Sequence, residues 1–463
     1  MTIWMPNIEP RSGPRYLAIA DALADDVESG LLAPGTRLPT HRDLASRLGV
    51  TVGTVSRAYA EAERRGITQG EIGRGTFVRN TDSAPVSLQP LRPREPGAVD
   101  LAIVRPAEDP CTDAVTGSLS VLAKRTDLNH LLSYAPDGGL PEHRAAGAEW
   151  IRRRGLNADR EQVIVTSGAQ HGLATAIAAL TEPGDLLLTE ALGYAGINAI
   201  ANQLHRRQIQ GVEMDEHGIL PDALEAACRA GNARMLVCVA TLQNPTTAIM
   251  PEDRRRQIAD IVRRNDLILI DDDVYGPLVE NSPAPLASFA PERSCYITSI
   301  SKSLTPGLRI GYIWAPEDFV PYIAASVRTS VWMPAPLMAE IATLWIRDGI
   351  AERLIAWQRQ EARARQSIAE RVLKRWHVQS YPYSFHLWLH LPDPWRADAF
   401  TQQARARGVA VIPADFFAVG RTRAPHAVRL CLTAAANRQE LEKGLMILDE
   451  ILAGPPKSCV AVI

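Results

Sequence analysis

From residue 162 to residue 301 the chain repeats one pattern: a short run of consecutive apolar residues ends in small, polar or acidic ones, and amphipathic stretches intervene. QVIVTSG, DLLLTE, RMLVCVATL, LILIDDD and CYITSIS are the clearest runs. Apolar strands without alternation are buried on both faces, and helical crossovers between them build a mainly parallel sheet covered on both sides. Ligands of such sheets collect beyond the carboxyl ends of the strands, where the polar ends of these runs fall.

The first 80 residues are patterned differently. RYLAIADALADDVESG carries apolar residues at Leu17, Ile19, Ala20, Leu23, Ala24 and Val27, a helical stripe that stops at Gly30. Thr40 is placed to cap a helix running to Leu48, Gly49 to make a turn, and Thr51 to cap a second helix running to Arg65 and stopped by Gly66. Two helices across so tight a turn predict a helix-turn-helix, whose second helix offers its N-terminal residues to the major groove. ITQGEIGRGTFV predicts two short strands about a Gly-Arg-Gly turn, a wing that brings Arg74 toward a minor groove or a phosphate. Helix pairs of this size also build protein-binding modules. The wing, with Arg42, Arg47, Arg57, Arg64, Arg65 and Arg74 on or beside the helices, favours DNA. Residues 81–98, TDSAPVSLQPLRPREPGA, are rich in Pro and Ser without apolar period and read as a linker between this head and the body.

At 463 residues the chain exceeds what one core organises, so more than one domain is expected. The net charge of −2 gives no global attraction to a polyanion, so a nucleic-acid site must be local. Six scattered cysteines without a CxxC pair or a histidine cluster argue against a zinc site. The N-terminus lacks the features of a signal peptide and no run of about 18 apolar residues occurs, so a cytoplasmic protein with no membrane partner is expected.

Chemistry concentrates in the body. SISKSLTPGLRIGY, 299–312, gathers Lys302, Ser299, Ser301 and Arg309 in one short span. An amine that captures a carbonyl needs a lowered pKa, which burial or a neighbouring guanidinium supplies, while hydroxyls and a guanidinium fork suit a phosphate dianion. VIVTSGAQHGL, 163–173, reads as strand, Ser-Gly turn and helix, offering free N–H groups to an anion. In LILIDDDVYGPL, 267–278, a buried carboxylate needs a cation or a protonated nitrogen; Asp272 and Tyr275 suit the nitrogen and hydroxyl of a pyridine ring, while Asp271 and Asp273 fall on the other strand face as caps or ion-pair partners. A calcium site is the alternative for these carboxylates, without the Gly-spaced loop such sites use. Asn244, before Pro245, aims an amide into the same crevice. Tyr194 follows another strand, where it either stacks on an aromatic ring or belongs to the core.

Residues 35–78, GTRLPTHRDLASRLGVTVGTVSRAYAEAERRGITQGEIGRGTFV, resemble the GntR-family winged helix-turn-helix domain. The resemblance implies DNA contacts from Arg42, the start of the second helix and the wing. Val52, Gly53 and Ser56 depart from the arginine-bearing pattern, so specificity is expected to rest on Thr51, Thr54, Arg57 and DNA shape. From about residue 99 to 455, SGAQHGL, NP, DDVY and SISKSLTPGLRIGY occur in the order found in class I aminotransferases, and the body is similar to that family. The resemblance implies fold type I, an α/β fold with a mainly parallel large domain and a smaller α+β subdomain from roughly 330 to 455, followed by a tail, 456–463. It implies pyridoxal 5'-phosphate as cofactor and Lys302 as the Schiff-base lysine and catalytic group. Asp272 would partner the ring nitrogen, with Tyr275 and Asn244 on the ring hydroxyl and Tyr194 stacked. Gly168, Ala169, Gln170, Ser299, Ser301 and Arg309 would cradle the phosphate. YAPDGGLPEHRAA resembles the family's segment that reaches into the neighbouring subunit's site, so Tyr134 would touch the partner chain's phosphate, and AVRLCL resembles the family's carboxylate-binding strand, so Arg429 would hold an amino-acid carboxylate, a surface strand arginine being the alternative.

The fusion resembles the MocR/GabR-type transcription regulators across nearly the whole chain. That resemblance implies a homodimer, head-to-tail, that binds a double-stranded DNA operator and senses an amino acid, an amine or pyridoxal phosphate through an aldimine at Lys302. The alternative is an active aminotransferase carrying a GntR-type head.

Overall fold

The structure, a computed structural model, describes residues 4–8, 13–33, 35–64, 67–71, 75–78, 97–107, 111–204, 208–420 and 422–456. The chain divides into two compact units, residues 1–87 and 88–463. Arg74, Arg65, most of the linker and the end of the tail lie outside the described residues.

In the first unit, helices α1 (Arg15–Glu28), α2 (His41–Leu48) and α3 (Val52–Arg64) precede the antiparallel strands β1 (Thr68–Glu71) and β2 (Gly75–Val78). The capping residues act as their types dictate. Thr40 Oγ1 accepts the Asp43 N–H at 3.2 Å, Gly49 ends α2 at φ 61°, and Thr51 Oγ1 accepts the Thr54 N–H at 3.2 Å. Ile19 and Leu23 of α1, Leu44 of α2, Val55, Ala58, Tyr59 and Ala62 of α3 and Val78 of the wing close one small core. The Tyr59 hydroxyl donates to Pro39 O at 2.9 Å, fixing α3 against the entry to α2.

The second unit holds a seven-stranded sheet in the order Val163–Thr166, Gly311–Trp314, Ser294–Ser299, Ile268–Asp272, Ala233–Cys238, Leu186–Glu190, Gln208–Val212. All neighbours are parallel except Gly311–Trp314, which runs antiparallel to both of its own. Alternate residues of the apolar runs serve different cores: Ile164, Met235, Val237 and Ile270 pack into one, Val163 and Val165 into a second, and Leu236 and Leu269 into a third. Burial on both faces removes any need for alternation. Helix Pro336–Arg347 packs into the large-sheet core with Trp150 and Tyr312, whereas a separate core draws on residues 369–452 together with Val99 and Leu101. This second core lies on a four-stranded antiparallel sheet, Val378–Gln379, His386–His390, Ala427–Cys431 and Ile412–Pro413. Val99–Asp100, near the start of the body, pairs in parallel with Val409–Ala410, so the chain leaving the linker joins the C-terminal core directly. Among the described residues no helix is long and apolar enough to cross a membrane.

Candidate functional site

Strand Ser294–Ser299 leads into the short helix Ile300–Ser303, which carries Lys302 at the carboxyl edge of the sheet. Lys302 Nζ donates to Val104 O at 2.6 Å. Burial, then the charges of Arg429 and Arg309, outweigh Cys431 and Asp272 and bring its pKa down to about 8. The amine is therefore deprotonated far more often than an exposed lysine at neutral pH, which is the condition for attack on a carbonyl.

Beside it lies a cradle for an anion. Gly168, at φ 87°, lies two residues beyond strand Val163–Thr166 and caps helix Ala169–Leu180, whose first N–H groups have no partner within the helix. Arg309 Nη1 donates to Ser301 Oγ and Nη2 to Ser167 O, each at 3.3 Å. Ser299 Oγ accepts the Ser301 N–H at 3.3 Å. A Cβ on Gly168 would fall 2.6 Å from Arg309 Nη2, so the guanidinium approaches as closely as it does only because the residue is glycine. Gly311 meets the same limit, since its Cβ would lie 2.8 Å from the Gly168 carbonyl carbon. Gln170 donates to Gly196 O at 3.5 Å and leaves its buried Oε1 without a partner.

Asp272 ends strand Ile268–Asp272, buried, with Oδ1 lacking any hydrogen bond. Burial and the repulsion of Asp271, Asp273 and Glu190 push its pKa up to about 8. Its neighbours are committed elsewhere: Asp271 accepts the Ala287 N–H at 2.9 Å, and Asp273 pairs with Arg154 and accepts the Tyr296 hydroxyl, both at 2.9 Å. No group of acids, histidines or cysteines among the described residues could hold a metal ion. Tyr275 is buried, and burial raises its hydroxyl pKa. Tyr194 stands at the start of helix Ala195–Gln203, with its pKa pushed up to about 12 by burial and then by the Asp272 charge.

Asn244 sits in the loop 240–251, which buried Arg255 pins by donating to Ala240 O at 2.9 Å, Thr241 Oγ1 at 3.0 Å and Met250 O at 2.8 Å. Arg429, buried on strand Ala427–Cys431, donates to Asn244 Oδ1 at 2.8 Å and to Ala102 O at 2.6 Å, lies over the Phe417 ring at 4.7 Å, and keeps a buried Nε with no partner. It is no surface arginine. Asn244 thus holds the guanidinium with its oxygen and retains its amide N–H groups for a ligand.

Several groups of the crevice escaped the sequence reading. His386 is fully buried, 5.9 Å from the Tyr275 ring centre, with Nε2 3.3 Å from Gln243 O; burial and Arg429 drive its pKa down to about 3, so it is neutral. Cys431 Sγ donates to Ala102 O at 3.3 Å. Its only sequence signal was a polar residue at an inward position of a strand, as in HLWLH for His386. The carbonyls of Ala102 and Val104 carry no signal at all. Tyr134 lies outside the cluster formed within one chain, 77 % exposed and 5.6 Å from the Trp332 ring.

In the head, Arg42 and Thr51 are exposed. Thr51 and Thr54 hydroxyls bond each other at 2.9 Å, and the Arg57 guanidinium lies over the Tyr16 ring at 4.1 Å. Arg74 lies outside the described residues.

An orphaned buried carboxylate oxygen fits a ring nitrogen that brings its own proton, and the glycine-limited cradle of Arg309, Ser301 and helix N–H groups fits a phosphate. The residues present therefore suit pyridoxal phosphate.

Residues 98–448 match the family described as aminotransferase class I and II, and residues 15–78 match the bacterial regulatory proteins of the gntR family. The HTH-type transcriptional regulator YdeF of Bacillus subtilis is 31% identical over 450 residues, covering 97% of this chain and 96% of its own. The pyridoxine biosynthesis transcriptional regulator PdxR of Corynebacterium glutamicum is 29% identical, covering 79% of this chain and 80% of its own. Among solved structures, LysN, the alpha-aminoadipate aminotransferase of Thermus thermophilus complexed with N-(5'-phosphopyridoxyl)-L-leucine, is similar at a TM-score of 0.69 and 25% identity, over 78% of this chain and 93% of its own. The kynurenine aminotransferase of Pyrococcus horikoshii in complex with PMP shares the fold at a TM-score of 0.70 and 21% identity, over 77% and 91%. With pyridoxal phosphate as its cofactor, the chain belongs to the MocR/GabR-type transcriptional regulators, a gntR-family DNA-binding head joined to a class I and II aminotransferase body.

Proposed function

We propose that the body senses an amino acid or amine, or pyridoxal phosphate itself, and that the head binds a double-stranded operator accordingly, in a cytoplasmic homodimer with a head-to-tail arrangement. One observation carries this reading. The two cations that such a ligand would address, Lys302 and Arg429, are held at 2.6 Å each by carbonyls of Val104 and Ala102, in the first described segment of the body after the linker.

That segment is tied down on both sides. The Val99 N–H and Leu101 N–H donate to Gly408 O and Ala410 O at 2.8 and 2.9 Å, and Ala107 exchanges two hydrogen bonds with Gln358 at 3.1 and 3.0 Å. Between these anchors the carbonyls of Ala102 and Val104 face the crevice. A ligand carboxylate that takes Arg429 into a bidentate pair competes with Ala102 O, because a charged acceptor binds a guanidinium more strongly than a neutral carbonyl. Release of Lys302 likewise frees Val104 O. Occupancy is thereby read by a segment covalently continuous with the linker, whose 18 residues could extend to about 60 Å.

Bound, pyridoxal phosphate supplies an aldehyde for amine capture and an electron-withdrawing ring. Lys302 supplies the nucleophilic amine and, once free, a base positioned over the crevice. Asp272 would hold a proton on the ring nitrogen, Tyr275 and Asn244 would address the ring hydroxyl, and Tyr194 would stack on the ring. Gly168, Ala169, Gln170, Ser299, Ser301 and Arg309 would hold the phosphate, and Tyr134 would reach the phosphate bound by the partner subunit. Arg429 orients the carboxylate, and Arg42, Thr51, Thr54, Arg57 and Arg74 contact DNA.

Spectral titration of the full chain with pyridoxal phosphate and then with a panel of amino acids and amines tests the reading. A ligand that shifts the spectrum stably and also changes operator affinity supports sensing. Stoichiometric conversion of the amino acid to its oxo acid, with no effect on DNA binding, would instead make the chain an aminotransferase.

A further inference from the structure

Apart from Arg57, the exposed residues in the first turns of α3 are small or apolar. Gly53, Arg57 and Ala60 are exposed on the side of the helix opposite the buried Val55, Ala58, Tyr59 and Ala62, and Val52, its first residue, is 44 % exposed. Four polar side chains at the start of the helix, Thr51, Thr54, Ser56 and Arg57, have partners within the head. Thr51 Oγ1 accepts the Thr54 N–H at 3.2 Å and the two threonine hydroxyls bond each other at 2.9 Å. Ser56 Oγ is 3.0 Å from His41 Nδ1, on the first residue of α2. The Arg57 guanidinium lies 4.1 Å above the Tyr16 ring of α1, where cation and π face attract each other.

Gly53 adds no bulk, and a Cβ there would meet nothing nearer than Thr51 Oγ1 at 3.8 Å. The helix can therefore approach the groove floor closely, leading with the Val52 isopropyl group. In a major groove the apolar feature of a base pair is the thymine 5-methyl group, and aliphatic side chains read it by contact.

We infer that Val52 reads a thymine methyl group, and that the operator carries a thymine at the position facing the start of α3 in each half-site. This rests on the head binding duplex DNA through α3. Arg57, on its Tyr16 platform, and exposed Arg42 then serve the phosphates flanking that base, where a guanidinium needs no sequence-specific geometry.

The test uses full-length protein with pyridoxal phosphate and duplexes selected by it from a library with a randomised core. Each thymine of a selected duplex is replaced singly by deoxyuridine, which removes only the methyl group, and affinity is measured at fixed salt for the natural chain, Val52→Ala and Val52→Thr. The expected result is one thymine per half-site whose methyl loss weakens binding about fourfold, the worth of one buried methyl-sized group. At that position the penalty disappears in Val52→Ala and persists in Val52→Thr, which keeps a methyl branch. A duplex with no methyl-sensitive thymine, or a penalty of equal size in Val52→Ala, overturns the inference. Selection that enriches no sequence at all would instead overturn the DNA reading on which it rests.

Discussion

Lys302 owes its lowered pKa first to burial and then to Arg429 and Arg309, and this order has a kinetic consequence. Only the neutral amine attacks a carbonyl. Below about 8, its folded-state pKa, each pH unit lowers the neutral fraction about tenfold; above it the fraction saturates. The rate of pyridoxal phosphate capture, followed by absorbance in stopped flow, should therefore rise through pH 7 to 8 and level off above 9. Arg429→Gln removes a cation that lowers this pKa, so the same profile should move to higher pH. In that variant carboxylate-bearing ligands should bind roughly ten- to a hundredfold more weakly, as loss of a charge-assisted hydrogen bond predicts, while simple amines are little affected; calorimetric titration separates the two. Lysine, aspartate and arginine stood out in the sequence because their chemistry admits few substitutes. His386 and Cys431 did not, because a neutral imidazole and a buried thiol look like core residues until the fold brings them beside Arg429.

The carboxyl ends of the strands act as a unit, and the glycines there set how closely the parts meet. Gly168→Ala must place a Cβ within 2.6 Å of Arg309 Nη2 at a left-handed φ of 87°. With ψ 166° this is an extended positive-φ conformation that essentially only glycine adopts, and the backbone alone costs about 1–3 kcal/mol. Thermal unfolding should show that loss, and, if the displaced guanidinium holds the phosphate as proposed, pyridoxal phosphate should be weakened more than unphosphorylated pyridoxal. Caps and turns of the head were legible down to individual residues, since Thr40, Gly49 and Thr51 act through purely local geometry. Two strands were not. Gln208–Val212 is an edge strand, partly exposed, without a continuous apolar run, and Gly311–Trp314 reads as the end of the lysine motif. The pairing of Val99–Asp100 with Val409–Ala410 joins residues too distant in sequence for any local pattern to announce.

At the scale of the whole molecule, the proposed sensing requires that a DNA reader and a ligand pocket be coupled through the chain that connects them. A dimer whose heads neutralise about six to ten phosphates should lose about a thousandfold or more in operator affinity between 50 and 200 mM salt, and fluorescence anisotropy across that range checks it. A net charge of −2 says nothing of a local nucleic-acid site, so only the placement of arginines along the head pointed to DNA in the sequence. The coupling is tested most directly by the dissociation constant of one selected duplex, measured with and without pyridoxal phosphate for the natural chain and for Lys302→Ala. A shift of about 5- to 150-fold in the natural chain, the usual span of allosteric coupling, and none in Lys302→Ala is the predicted result. Equal affinities in all four conditions, or the same shift without the lysine, would contradict it.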